Sequence, residues 1–467
     1  MHTDFRNGRA RIVLLAVLLS TLTFPLTITG ASLALPGIQA DLEAGLTATQ
    51  WVVNGYNATF AGFLVVAGSL ADVIGRRRIF AGGVSLFCVS GALCGVASDI
   101  IVLDALRMLG GVGAAAAVTG GTSILAETFA GPARTRAFGL LGTVLGAGTA
   151  FGPTIAGLLV DLMGWRAVFA VPAGVAAVVL ALTPMLPRPR PAAGRSIDWT
   201  GAFLFVGALL LLISALVEGP ERGFGSPLIV GGLIAAVLAG VAFTVVERRR
   251  DDPMFDLGLL ANRRFLSFGI AAGAIMAVLV SLLVYLPSYL ISVVGLDAGR
   301  AGLWLLMLTV PTVLLPPVGA ELAKRLPTVL LVAGSVALCS GGTLLLVTIG
   351  PDSTPLHLFV PFALVGAGAG LTNGILDGLA IGSTRPEQAG TAAGMFNTMR
   401  ITFETVGIAA VGGMLAALTG GHLTGAAYTG AFHTVGLALG GFALVATVCV
   451  LALSRGTRRG PAAVVRR

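Results

Sequence analysis

Long apolar runs dominate the sequence, each approaching the thickness of a bilayer. They fall at about 12–36, 51–71, 79–97, 100–126, 137–160 and 168–185, then at 199–217 and 227–246. Six more follow at about 265–286, 301–320, 327–349, 356–381, 392–418 and 430–453. A helix needs about 20 apolar residues to cross the hydrocarbon core. There every backbone N–H and C=O must be bonded inside the protein, so runs of this length dictate helices rather than barrel strands. Charged residues make up 11% of the 467, against about 25% in a soluble domain. The chain is therefore an all-α membrane protein with fourteen spans in a six, two, six order. The first run is too long for a signal-peptide core and reads as an uncleaved span. No segment large enough to fold in water is left over.

The basic residues test this count. With the N-terminus in the cytoplasm, all 29 Lys and Arg except Arg107, Arg166, Arg222 and Arg300 fall in segments or span ends on that side. The positive-inside rule requires such an asymmetry. It predicts a multi-pass protein of the cytoplasmic (inner) membrane with both termini cytoplasmic. The expected division is an N-terminal six-helix bundle over 1–186 and a linker with two extra spans over 187–264. A C-terminal six-helix bundle over 265–454 and a basic tail over 455–467 complete it.

Several classes drop out. The net charge of +8 is spread over short loops, which argues against a nucleic-acid partner. Lys324 is the only lysine, so the phosphate-binding GxxxxGK[ST] loop is absent, and ATP hydrolysis by that route with it. Cys88, Cys94, Cys339 and Cys449 sit in apolar runs without metal-type spacing and read as small buried hydrophobes, so no metal is expected. No nucleophile motif or cluster of histidines or carboxylates at a membrane face marks an enzyme, and no output domain marks a sensor.

The polar residues inside or beside the runs carry the functional signal. The stretch Gly68-Ser-Leu-Ala-Asp72-Val-Ile-Gly75-Arg76-Arg77-Arg78 turns the chain between two runs. Its aspartate either locks arginines of its own loop, accepts from a neighbouring helix N-terminus, or belongs to a solvated turn. Arg107 lies about seven residues into the fourth run, roughly 10 Å deep at 1.5 Å per residue. An arginine there costs about 2.5–3.5 kcal/mol or more unless paired or wet, and Asp104 at i−3 is a candidate partner. In the fifth run Gly148, Gly152, Pro153 and Gly157 form a small-residue face that fits a hinge or a tight dry interface. Glu404 stands four residues after Arg400, the spacing of a local ion pair. Asp377 has no local partner and reads either as Arg400's partner across helices or as a group that protonates when desolvated. Thr27, Asn54, Asn57, Tyr285 and Asn373 are candidate cavity-lining groups, each equally accounted for by an interhelical hydrogen bond.

Taken together, these motifs resemble the major facilitator superfamily, specifically its drug:proton antiporters with fourteen spans. The stretch at 68–78 is similar to that family's loop between its second and third helices. Leu103-Asp-Ala-Leu-Arg107-Met-Leu-Gly-Gly111 is similar to its fourth-helix arginine motif. The Gly148–Gly157 segment is similar to its fifth-helix antiporter motif, with Ala156 replacing one glycine. Further likeness lies in Ala34-Leu-Pro36, Gln50-Trp-Val-Val-Asn-Gly-Tyr56, Trp165-Arg166 and Gly390–Arg400. The resemblance implies a major facilitator fold, two six-helix bundles plus two extra central helices. It also implies alternating access, with proton influx driving export of a lipophilic or cationic small molecule by a monomer embedded in lipid. The proton would be the coupling ion and no other cofactor is implied. On the family's pattern Arg107 is tied to proton transfer, the fifth helix to direction, and Gly68, Asp72, Gly75, Arg76 and Arg77 to a cytoplasmic gate. One departure stands out: where many members carry a first-span aspartate, this chain has Thr27. Asp377, together with Asp104 near Arg107, is expected to take over the carboxylate role, with Arg400 and Glu404 beside it. The alternatives are a dedicated exporter of one metabolite or self-made antibiotic, and an uncoupled facilitator of the same fold.

Overall fold

The computed structural model describes residues 8–187, 198–250, 255–385, 388–421 and 423–455. The linker beyond Pro187 and the basic tail beyond Arg455 lie outside the described residues. Six helices come first: α1 (Gly8–Asp41), α2 (Leu46–Ile74), α3 (Arg76–Cys94), α4 (Ile100–Thr128), α5 (Gly131–Met163) and α6 (Ala167–Leu182). The inserted pair is α7 (Trp199–Arg222) and α8 (Pro227–Arg249). The remainder comprises α9 (Arg263–Ser292), α10 (Ala298–Trp304), α11 (Leu306–Leu314), α12 (Pro316–Arg325), α13 (Thr328–Leu344), α14 (Pro355–Thr372), α15 (Ile375–Gly382), α16 (Ala389–Thr419) and α17 (Gly425–Arg455). No strand occurs among the described residues. Among the described residues thirteen helices are long and apolar enough to cross a membrane, or fourteen if the bent pair α11–α12 is counted as one span.

Two crossings expected as continuous helices are broken. The run read at 301–320 is three pieces, with a 51° bend between α11 and α12. Pro316 and Pro317 lie at the bend; proline offers no N–H to continue a ladder. The run read at 356–381 stops at Thr372 and resumes as α15 after Gly374, whose φ of 77° is left-handed. The polar segment after 217 is also not all loop, because α7 continues through Glu218 to Arg222. Polar caps start several helices. Asp99 accepts from the Ile101 and Val102 amides, Asp198 from Gly201, and Asn262 from Arg264 and Phe265. These satisfy donors that a helix start leaves open.

The helices pack as two halves with α7 at the seam. α1–α6 pack on one another, and α9–α17 do likewise, while α7 touches both α2 and α16. In its most apolar stretch α9 is 83% buried, against 6% for α8. So α9 is central, and α8 is left for lipid to cover.

The described hydrogen bonds between the halves gather towards one end. We call the end where α1 begins the near end and the other the far end. Towards the far end Ser32 donates to the Leu283 carbonyl at 3.1 Å and Gln50 Nε2 to that of Gly412 at 2.8 Å. Thr154 donates to Gly302 at 3.1 Å, Thr309 to Ala150 at 2.7 Å, and the Gly299 amide to Asp161 at 2.8 Å. α5 and α10 approach backbone to backbone. A Cβ on Gly302 would overlap the Pro153 carbonyl, and one on Gly157 the Ala298 carbonyl. Towards the near end α5 loses these contacts: Leu140, Thr143 and Leu145 are exposed, and nothing stands within 4 Å of a Cβ at Gly139 or Gly142. On the facing half Leu314, Pro317 and Val318 are exposed too.

This geometry makes Gly302→Val a specific probe. The added side chain must push α10 off the Pro153 carbonyl, and overpacking of this kind costs about 1–3 kcal/mol. The purified variant is expected to melt at a lower temperature. A cysteine placed at Gln39 should also label faster as the far end loosens, whereas an unchanged labelling rate would contradict the packing.

Candidate functional site

Arg107 is the most enclosed charge of the first half. α4 carries it against α2 and α6, where it is 3% exposed. Its Nε donates to the Val52 carbonyl at 2.8 Å, and its guanidinium lies 4.2 Å from the Tyr56 ring centroid and 5.3 Å from that of Phe169. Desolvated cation–π contacts are worth about 2 kcal/mol or more, which offsets part of the burial cost. The expected pairing with Asp104 does not form. No salt bridge joins the two among the described residues, and Asp104 Oδ1 and Arg107 Nη2 are both buried without a hydrogen-bond partner. The arginine turns instead to the Val52 carbonyl and the two rings. Thr27, Tyr56 and Arg107 line a void of about 10 Å³, near the threshold for a single water. Thr27 donates to the Thr23 carbonyl of its own helix, as an interhelix-neutral threonine does.

In the second half the break between α14 and α15 builds a polar notch. Asn373 is exposed at the break, and Asp377 lies in the first turn of α15, where the helix dipole favours a carboxylate. Arg400 of α16 reaches across to Asp377 at 3.8 Å and donates to Asn397 at 2.7 Å. This is the cross-helix partnership that the sequence allowed. It displaces the i,i+4 pair expected with Glu404, for which no salt bridge is found among the described residues. The side chains of Asp377 and Arg400 are 43% and 31% exposed, so the notch faces the open near end.

The turn at 68–78 fastens the near end of the first half. α2 stops at Ile74, Gly75 takes φ 110°, and α3 begins at Arg76. Arg76 bonds Asp72 at 3.4 Å and also Glu127 at the end of α4, while Arg77 donates to the Pro184 carbonyl just beyond α6 at 3.2 Å. Of the readings open for Asp72, a pair with an arginine of its own loop is present. Gly68 has open space around it. On α5, Gly148 and Gly152 pack on Pro25 and Thr29 of α1, and Gly157 on α10, so the small-residue face is a tight interface within a continuous helix.

Between the halves runs a seam of uncharged polar groups. Gln50, Asn54 and Asn57 are i, i+4 and i+7 on α2, and Ser281, Tyr285 and Ser288 have the same spacing on α9. All are buried; Gln50, Asn57, Ser281 and Ser288 each keep a side-chain polar atom without a partner, while the Tyr285 hydroxyl lies beside Asn54. Gln50 and the two serines were not singled out in the sequence; the repeated helical spacing is the signal that finds them. Other links went unread as well. Trp51 Nε1 donates to Glu218 at 2.8 Å, tying α2 to α7. Asp41 accepts from Trp165 at 3.1 Å and from Arg166 at 2.6 Å, tying α1 to the start of α6.

Comparison with known proteins agrees with this architecture. Residues 17–400 match the model of the Major Facilitator Superfamily. The multidrug resistance protein Stp of Mycobacterium tuberculosis is 32% identical over 391 residues, covering 83% of this chain and 72% of that protein. The tetracenomycin C resistance and export protein of Streptomyces glaucescens is 33% identical over 423 residues, covering 89% of this chain and 77% of that protein. Among solved structures, a bacterial homologue of the human lysosomal transporter Spinster superposes with a TM-score of 0.68 at 17% identity, covering 96% of this chain and 98% of that one.

Gly75 offers a test of the near-end turn. A left-handed φ costs a non-glycine residue about 1–2 kcal/mol. Gly75→Val is expected to lower the melting temperature and to expose a cysteine placed at Glu127, as Arg76 loses its position. Retained stability together with unchanged labelling would show that the turn does not depend on this glycine.

Proposed function

The chain belongs to the Major Facilitator Superfamily, and from that premise we propose that it is a proton-coupled exporter of lipophilic or cationic drugs working by alternating access. The observation that carries this reading is the asymmetry of the two halves. They are bonded towards the far end and apart at the near end. The near end holds the Gly68–Arg78 turn and the start of α1, and the distribution of basic residues supports assigning it to the cytoplasm. On that assignment the protein stands open to the cytoplasm in an inner membrane, with both termini cytoplasmic, ready to load its cargo as a monomer.

Coupling is assigned to charges held inside each half. Arg107 and Asp104 serve the first half, and Asp377, Arg400 and Glu404 the second. With Thr27 in place of a first-span acid, Asp377 is the carboxylate best placed to exchange protons with the open side. Gly68, Asp72, Gly75, Arg76 and Arg77 are assigned to the cytoplasmic gate, which closes when the near ends meet. Gly148, Gly152, Pro153 and Gly157 let α5 pivot on α1 and α10. A proton crossing the membrane gains about 2.3 kcal/mol per 100 mV before any pH gradient, enough to drive uphill export. The relative named for resistance to and export of tetracenomycin C favours a second reading, a dedicated exporter of one self-made compound.

Proteoliposomes with an imposed pH gradient test the proposal. Addition of a disinfectant cation or dye should release protons in step with its transport. Transport without proton movement would leave an uncoupled facilitator. Asp377→Asn is expected to abolish coupling at normal expression, and unchanged coupling in that variant would sink the assignment of this carboxylate.

A further inference from the structure

The inserted hairpin makes the two flanks of the molecule unequal. On one flank α7 stands between α2 of the first half and α16 of the second. One apolar cluster takes in Ala61 and Leu64 of α2, Leu209 and Ile213 of α7, and Ile401 of α16. Towards the near end Val66 packs with Ala202 and Val206, and a Cβ on Gly62 would meet Val206 at 3.3 Å. The segment after α8 continues this wall. The Phe255 ring centroid lies 5.4 Å from that of Phe205 on α7, Gln388 donates to Asp256 at 2.9 Å, and Asn262 donates to the Ser383 carbonyl at 2.8 Å. Towards the far end Trp51 bonds Glu218, and a Cβ on Gly413 of α16 would overlap the Leu216 carbonyl.

On the opposite flank α5 faces α10 and α11 directly. Gly157, Pro153, Ala150 and Gly146 descend one face of α5 and meet Ala298, Gly302, Thr309 and Val313 in turn. Gly146 is the last of them, with 3.7 Å between a Cβ there and Val313. Gly142 and Gly139 come next on that face and have open space around them. Just past Val313 the partner crossing bends by 51°, and Leu314, Pro317 and Val318 are exposed. Among the described residues no hydrogen bond or ion pair joins α5 to α12. The gap runs down α5 from Gly146 to Ala137, where its apolar run begins. At 1.5 Å per residue that is about 14 Å, close to half of the roughly 30 Å hydrocarbon core. The gap therefore opens onto one leaflet. Arg134, Arg136, Lys324 and Arg325 stand at its near edge, where basic side chains meet anionic headgroups.

We propose that this gap is a lateral portal, and that it, rather than the flank walled by α7, admits lipophilic cargo from the cytoplasmic leaflet into the space between the halves. A molecule with a large apolar surface is concentrated in the leaflet, because water rejects that surface. Entry between α5 and α11–α12 keeps it among apolar groups for the height of the leaflet. The inserted pair thus gives lateral traffic one side. This inference deepens the export reading, and it rests on that reading for direction and for assigning the near end to the cytoplasm.

The test has one arm without transport and one with it. In the first, Gly142→Cys, Val206→Cys and Val237→Cys are each labelled with a bimane fluorophore, in nanodiscs of phospholipid with brominated chains. The signal of the unsubstituted chain, with its own four cysteines, is subtracted. Val237 lies on the lipid-facing α8 and is 66% exposed, whereas Val206 is covered by α2. The label at Gly142 should be quenched at least half as much as that at Val237, while Val206→Cys should label slowly and be quenched little. Quenching at Gly142 no greater than at Val206 would overturn the portal, and so would quenching at Val206 as great as at Val237. In the second arm Gly142→Phe narrows the gap at a position with room for a side chain. In proteoliposomes, kcat/KM is measured for a dye cation with a long alkyl chain and for its short-chain, water-soluble analogue. The ratio of the two values should fall about fivefold in the variant; any hindrance to the moving halves is common to both dyes and cancels. An unchanged ratio would mean that lipid alone fills the gap and would overturn the route. If the wild type exports neither dye, the export reading fails, and the quenching arm still decides whether the gap opens to lipid.

Discussion

The junction between the halves is the interaction on which the rest of the structure depends. It consists of side-chain donors bonded to backbone carbonyls, together with backbone-to-backbone contact of α5 and α10 at Gly157 and Gly302. Interhelical hydrogen bonds in membranes contribute about 0.6 kcal/mol each by double-mutant cycles. A handful of them holds one end shut by a few kcal/mol. That is enough to populate one state and small enough for a ligand or a proton to reverse. Larger residues at the glycines would leave no room for the close approach, and stronger ion pairs would make the junction hard to open.

The distribution of charge follows from the same constraint. Arg107 stays within the first half, bonded to Val52 and laid over Tyr56 and Phe169. Arg400 and Asp377 stay within the second. The near-end turn ties Arg76 and Arg77 to α2, α4 and the end of α6, again inside one half. Among the crossing bonds described above, only the one from the Gly299 amide to Asp161 involves a charge. These ion pairs can therefore stay intact when the two halves separate, whereas breaking one in low dielectric costs several kcal/mol per ion.

Much of this was legible in the sequence because hydropathy and charge act over whole spans. The six, two, six order follows from run length and from the side on which arginines fall, and neither depends on side-chain detail. The breaks before Pro316 and at Gly374 were hidden because hydropathy registers composition and not backbone continuity. The i,i+4 rule pointed Arg400 at Glu404, but α15 presents Asp377 at its first turn and offers the arginine a more exposed partner. The i−3 spacing points Asp104 at Arg107, whereas a carbonyl and two rings on other helices claim the guanidinium. Gln50, Ser281 and Ser288 passed unremarked because single neutral polar residues are common in spans. Their meaning comes from two helices facing each other, which no window along one segment contains.

The seam between α2 and α9 shows how the neutral and charged groups divide the work. Charges set what each half costs to bury, and they do so locally. The unpaired amides and hydroxyls lie where the halves touch, so separation exposes them to water and closure strips that water away. Each such group raises the free energy of the closed junction by about 1–3 kcal/mol, against gains of a few kcal/mol from the bonds that cross. The two contributions are opposite in sign. A junction built in this way is poised: apolar residues in place of Ser281 or Ser288 would tighten the far end, whereas an apolar residue at Gln50 would also remove a bond that holds it shut.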